Sequence, residues 1–106
     1  MATEAFTDDN FEAEVLRSSA PVLVDFTASW CPPCQSMVPV IERLAADYAG
    51  RLRVGSADVE HNSDIATRYR IHHLPTLLVF RGGVVVAQVT GAVPRVTLDA
   101  LLQKLV

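Results

Sequence analysis

Residues 22–34, Val-Leu-Val-Asp-Phe-Thr-Ala-Ser-Trp-Cys-Pro-Pro-Cys, constrain this chain more than any other stretch. An apolar run carrying one carboxylate delivers the only two cysteines to one point. Val22 to Phe26 is β-branched and aromatic and follows Pro21, which reads as a strand buried in an α/β sheet rather than an alternating surface strand. From Gln35 onward the period changes. Met37, Val38, Ile41, Leu44, Ala45 and Tyr48 recur at threes and fours, the spacing of an amphipathic helix packed on that sheet. Cys31-Pro32-Pro33-Cys34 therefore stands where strand gives way to helix, in the first helical turn.

That location has chemical consequences. The first N–H groups of a helix lack intrahelical partners, and the macrodipole adds partial positive charge, so a thiolate is favoured there over a thiol. Cys31, the outer cysteine, gains most; Cys34 lies deeper along the helix, less exposed, and close enough to close a disulfide within one turn. One thiol attacks and the other resolves. Proline suits the first helical turn because its missing N–H is no loss there, although each residue before a proline, Cys31 and Pro32, is pushed away from the α region.

A cysteine pair this closely spaced cannot serve as a structural framework, because the loop restrains the unfolded chain too little; redox or metal chemistry remains. A tetrahedral zinc site needs further ligands, and His61, His72 and His73 do not form a ligand pair of the usual spacing. No metal site is expected. The 106 residues suit a single domain, 1–106, with half of them hydrophobic. A net charge of -3 without any basic cluster speaks against nucleic acid. No apolar run approaches the roughly 20 residues that span a bilayer, and the N-terminus lacks the basic and apolar regions of a signal peptide, so the expected location is the cytoplasm.

Taken in order, Ala5-Phe6 reads as a short edge strand, and Thr7-Asp8-Asp9-Asn10 caps a helix bearing Phe11, Val15 and Leu16. The long helix from about Pro33 contains Pro39, where a kink is expected, and ends at Gly50. Leu52 to Ala57 forms another strand, and Asn62-Ser63-Asp64 caps a short helix through Tyr69. Leu77 to Phe80 and Val84 to Val89 form a hairpin with Gly82-Gly83 at its turn. The last helix, from about Pro94 to Leu105, presents Val96, Leu98, Leu101, Leu102 and Leu105 to the core. Helix-linked strands should pair in parallel, and the hairpin should add antiparallel strands to a mixed sheet covered by helices on both faces.

Four landmarks in this order resemble the thioredoxin family: Val24-Asp25-Phe26, then Trp30-Cys31-Pro32-Pro33-Cys34, then Leu74-Pro75-Thr76, then Gly91. The resemblance implies the thioredoxin fold, an α/β architecture with a central mixed sheet of about five strands and about four helices on both faces. It implies a protein-disulfide reductase without a bound cofactor, working through a redox-active disulfide between Cys31 and Cys34. Cys31 would attack, Cys34 would resolve, and Asp25, a carboxylate in an apolar strand with its pKa raised by desolvation, would take the Cys34 proton. Pro75 would be a cis proline facing the cysteines, whose preceding backbone pairs with a substrate strand. Pro32 and Pro33 would tune the site, and Trp30, Val59, Leu74, Gly91 and Ala92 would form the substrate rim. Implied partners are disulfide-containing proteins and a flavin-containing thioredoxin reductase fed by NADPH; the working form would be a monomer.

The sequence also departs from the family pattern. Pro32 replaces the usual glycine, removing a backbone N–H near the Cys31 sulfur, and Thr27 replaces a tryptophan two residues after Asp25. Ser56 stands where a lysine is common, so Asp25 lacks a nearby cation and should hold its proton more tightly than in lysine-bearing relatives. His73, two residues before Pro75, replaces a small residue. Two other readings stand beside reduction. One is a disulfide oxidant or isomerase with a potential shifted by Pro32; the other is a binding module using the Trp30, Leu74 and Gly91 surface without thiol turnover.

Overall fold

The computed structural model describes residues 3–106. In chain order they form β1 (Glu4–Ala5), a π-helical turn (Glu12–Leu16), β2 (Val22–Thr27), α1 (Pro32–Asp47), β3 (Arg53–Asp58), α2 (Ser63–Arg68), β4 (Thr76–Arg81), β5 (Val84–Thr90) and α3 (Arg95–Leu102). The strands make one five-stranded sheet in the order β1-β3-β2-β4-β5. β2 pairs parallel with β3 and antiparallel with β4, which places it at the centre of the sheet. Its apolar run is explained by that position, since neither face of a central covered strand meets water.

Side chains alternate across the sheet and so sort into two cores. On one face Leu23, Leu77 and Val79 pack with Met37, Ile41 and Leu44 of α1 and with Leu98 and Leu102 of α3. On the other, Val22, Val24, Phe26 and Phe80 pack with Phe11, Val15 and Ile65. There the rings of Phe11, Tyr69 and Phe80 meet at centroid distances of 5.2 to 5.6 Å, tying the N-terminal segment to the end of α2. Asp25 alternates with Val24 and Phe26 and so points to the α1 face. The fold class thus matches the expectation of a mixed sheet covered on both faces.

Several local expectations are corrected. Val38 and Val96, expected on helix core faces, are 45% and 71% exposed. The buried stripe of α1 runs through Cys34, Met37, Ile41, Leu44 and Ala45, and at about 100° per residue Val38 falls on its flank. In α3 the stripe is Leu98 and Leu102, which leaves Val96 roughly half a turn away. The first helix is a five-residue π turn rather than a capped α-helix, although Thr7 and Asn10 do exchange bonds of 2.8 and 3.1 Å through their side chains just before it. Asn62 does not cap α2 with its side chain; Asp8 does, accepting from the N–H groups of Asp64 at 3.3 Å and Ile65 at 3.0 Å. The α2 link also breaks the parallel rule, because β4 runs antiparallel to β2. A six-residue helix covers about 9 Å and cannot return the chain along a strand of about 20 Å, so β4 starts near the end where β3 stops.

α1 continues through Pro39 as one helix, with Pro39 and the carbonyl-bearing Gln35 four residues before it both on the exposed side. Gly82 and Gly83 take φ of 59° and 82°, the positive values a two-residue hairpin turn requires. Leu44→Ala should lower the unfolding free energy by about 2–5 kcal/mol in denaturant titration, whereas Val96→Ala should change it by no more than about 0.5 kcal/mol.

Candidate active site

Cys31 is the N-cap of α1, in extended conformation at φ -101° and ψ 107°, as the proline after it demands. Pro32 and Pro33 occupy the first helical positions and carry no N–H. The first donor the helix can offer is therefore Cys34, and its N–H points to the Cys31 sulfur at 3.3 Å. The dipole's positive end and this one donor both act on Cys31 Sγ, which favours negative charge there.

Cys31 and Cys34 are joined by a disulfide with their Cα atoms 5.2 Å apart. Both are buried, Cys31 at 4% and Cys34 at 0% exposure, so Cys31 is the outer sulfur by a small margin in this oxidised state. They pack with Ala28, and Val59 and Leu74 lie against the same cluster. The Leu74–Pro75 bond is cis, and the Pro75 carbonyl accepts the Gly91 N–H at 2.7 Å, joining the loop before β4 to the end of β5. Trp30 stands 63% exposed beside the pair in sequence, and Ala92 is exposed after Gly91. The Thr76 hydroxyl donates to the His73 carbonyl at 2.6 Å, which fixes the loop that carries Leu74 and Pro75. His72 and His73 are exposed, and His61 pairs with Asp58 at 2.9 Å. Among the described residues, no three His, Cys, Asp or Glu side chains converge as metal ligands.

Asp25 is 3% exposed, and its Oδ1 has no hydrogen-bond partner among the described residues. Burial alone pushes its carboxyl from 3.8 up to about 7. It lines a cavity of about 250 Å³ together with Thr27, Ile41, Glu42 and Ser56. Ser56 sits directly opposite Asp25 in the β2–β3 register, so the position where a cation would have offset the carboxylate holds a hydroxyl instead. A carboxyl near neutrality can both accept and return a proton under ordinary conditions.

The Thioredoxin family model matches residues 2–104. This chain belongs to the thioredoxin family. It is 47% identical over 98 residues to Thioredoxin C-2 of Corynebacterium nephridii, covering 92% of this chain and 91% of that protein. Thioredoxin 1 of a Nostoc species is 44% identical over 103 residues, covering 97% and 96% of the two chains. Thioredoxin of Porphyra purpurea is 40% identical over 104 residues, covering 98% and 97%. With its cysteine pair at bonding distance, the chain is a thioredoxin-type thiol–disulfide oxidoreductase acting on disulfide substrates.

Sequence reasoning passed over Ala28, Glu42 and Glu4. Ala28 packs against both cysteines, a role that only a small residue between strand and helix could have signalled. Glu42 follows Val38 by one helical turn and enters the Asp25 cavity from the flank of α1, while Glu4 reaches the same cavity from β1, far away in sequence.

The raised Asp25 pKa has a definite sign for stability. The protonated carboxyl supports the fold fully below 3.8, and that contribution is lost as pH rises to about 7, where the buried group ionises. Asp25→Asn should therefore leave stability near wild type below pH 3.8 and exceed it progressively up to about pH 7, by about 4 kcal/mol at 1.4 kcal/mol per tenfold change in proton affinity. Chemical unfolding of both proteins across that pH range measures the difference.

Proposed function

We propose that this chain reduces disulfide bonds in protein substrates, with Cys31 as the attacking thiolate. The Cys31 sulfur displaces one substrate sulfur, forming a mixed disulfide and releasing a thiolate that takes a proton from solvent. Cys34 then passes its proton to the Asp25 carboxylate, directly or through water, and attacks Cys31 Sγ. The second substrate sulfur leaves as a thiolate, and the chain ends with the Cys31–Cys34 disulfide, two electrons poorer. What carries this reading is the Cys34 N–H directed at the Cys31 sulfur at the start of α1.

The wider assignments rest on the resemblance and on this geometry together. Residues 1–106 act as a single thioredoxin domain, monomeric and cytoplasmic, with NADPH-fed thioredoxin reductase restoring the dithiol. Trp30, Val59, Leu74, Gly91 and Ala92 form the substrate rim, and the backbone before Pro75 pairs with an extended substrate segment. Pro32 and Pro33 restrict the helix to a single donor for the attacking sulfur.

Insulin-disulfide reduction tests the roles. Cys31→Ser should fall to the uncatalysed background, and Cys34→Ser should accumulate a mixed disulfide visible as a mass increase on Cys31. A binding module would instead show no reduction above background in the unsubstituted chain and would keep its partner when Cys31 and Cys34 are both replaced by serine. A markedly oxidising potential of the pair, equilibrated against glutathione, would replace reduction by disulfide formation or isomerisation. In stopped-flow measurements the resolution step should quicken as pH rises through about 7, and Asp25→Asn should slow it by about 10²-fold or more while leaving the first attack nearly unchanged.

A further inference from the structure

The cavity at Asp25 is closed on one side by the N-terminal segment, where Thr3, Glu4 and Ala5 face Asp25, Ser56 and Glu42 across about 250 Å³. β1 is only two residues long, too short to stay seated by its ladder bonds alone. Side chains supply the rest. Arg53 on β3 donates to both Glu4 carboxylate oxygens, from Nε at 2.9 Å and from Nη2 at 2.6 Å. It also reaches the Glu14 carboxylate at 2.8 Å and the Glu14 carbonyl at 2.6 Å, so one guanidinium gathers β1, β3 and the π turn. Such a forked pair fixes geometry better than a single contact does. On the same face as this clamp Phe6 is fully buried, with the Arg53 guanidinium 6.0 Å from its ring centroid, and its N–H bonds to the Ser56 carbonyl at 2.9 Å. Gly55 makes the seat possible: a Cβ there would lie 2.7 Å from the Glu4 carbonyl oxygen and closer still to the Phe6 ring.

We propose that Arg53 is a positioning residue for disulfide exchange: by clamping Glu4 it seats β1 over the Asp25 cavity and keeps water from the carboxyl that receives the Cys34 proton. The inference rests on the reading of Asp25 as that proton acceptor. Glu42 from α1 brings its charge to the cavity; β1 lines it with Glu4 and Ala5, the Glu4 carboxylate being held by Arg53 on the other face of the sheet, while β3 presents Ser56 opposite Asp25 and β4 presents Leu77 on the other side. Burial is what raises the Asp25 carboxyl, so unseating β1 should lower it. Direct electrostatics predicts the reverse for an arginine substitution, since removing a cation and leaving Glu4 uncompensated raises a nearby carboxyl. The sign therefore separates the two effects.

The experiment follows the Asp25 side-chain carbon by NMR across pH in the oxidised full chain, where no thiol titrates, alongside the pH profile of the resolution step in the reduced protein. Arg53→Met should lower the Asp25 midpoint by roughly one pH unit and move the kinetic profile down with it. Arg53→Lys should recover part of the shift, and Gly55→Ala, which unseats β1 without changing charge, should lower the midpoint in the same direction. The Arg53 side chain is 28% exposed, so its replacement leaves both cores intact. A midpoint that stays or rises in Arg53→Met would overturn the clamp and leave the Asp25 assignment standing. A midpoint that falls while the kinetic profile stays would overturn Asp25 as proton acceptor and, with it, the part of Arg53 in exchange.

Discussion

A central strand covered on both faces offers no solvent to a charge, and this fold buries Asp25 in one. Much else follows from that burial. The carboxyl titrates near pH 7 instead of deep in the acid range because it is buried, and among the described residues Oδ1 has no hydrogen-bond partner to offset that burial. The same strand sets the start of α1 and so the position of the cysteines. Proton affinity and sulfur geometry thus share one piece of scaffold.

The helix start shows how little donor capacity the site uses. Two consecutive prolines leave Cys34 as the first N–H available to the Cys31 sulfur. In a chain with glycine at position 32, a further N–H would lie in the first turn. Here stabilisation of a Cys31 thiolate depends on one hydrogen bond and the helix dipole, and that bond comes from Cys34, the other half of the disulfide.

The fold was legible in the sequence wherever local pattern and global position agree. The β2 run, the α1 stripe, the Gly82–Gly83 turn and the Cys31–Cys34 pair each carry a short-range signal, and the structure has them. The misses are of two kinds. Val38 and Val96 are apolar residues near a helix stripe, and period alone does not tell flank from face until the partner surface is known. Asp8 capping α2, Arg53 holding Glu4 and Glu42 entering the Asp25 cavity join residues far apart in sequence, which no local spacing encodes. The site was legible in its sulfurs and its buried acid, and opaque in the walls around them.

The Asp8 cap has a kinetic side. α2 is six residues long, below the length at which a helix holds itself in water, and its first turn is closed by a carboxylate 57 residues earlier. The Asp64 and Ile65 amides keep their acceptor only when the N-terminal arm is docked, so arm and helix start open together. That contact spans more than half the chain, and closing such a loop is entropically expensive, which places it late among the events of folding. The segment that completes α2 also roofs the Asp25 cavity, and transient undocking of the arm would bare a helix end and a buried acid in a single fluctuation.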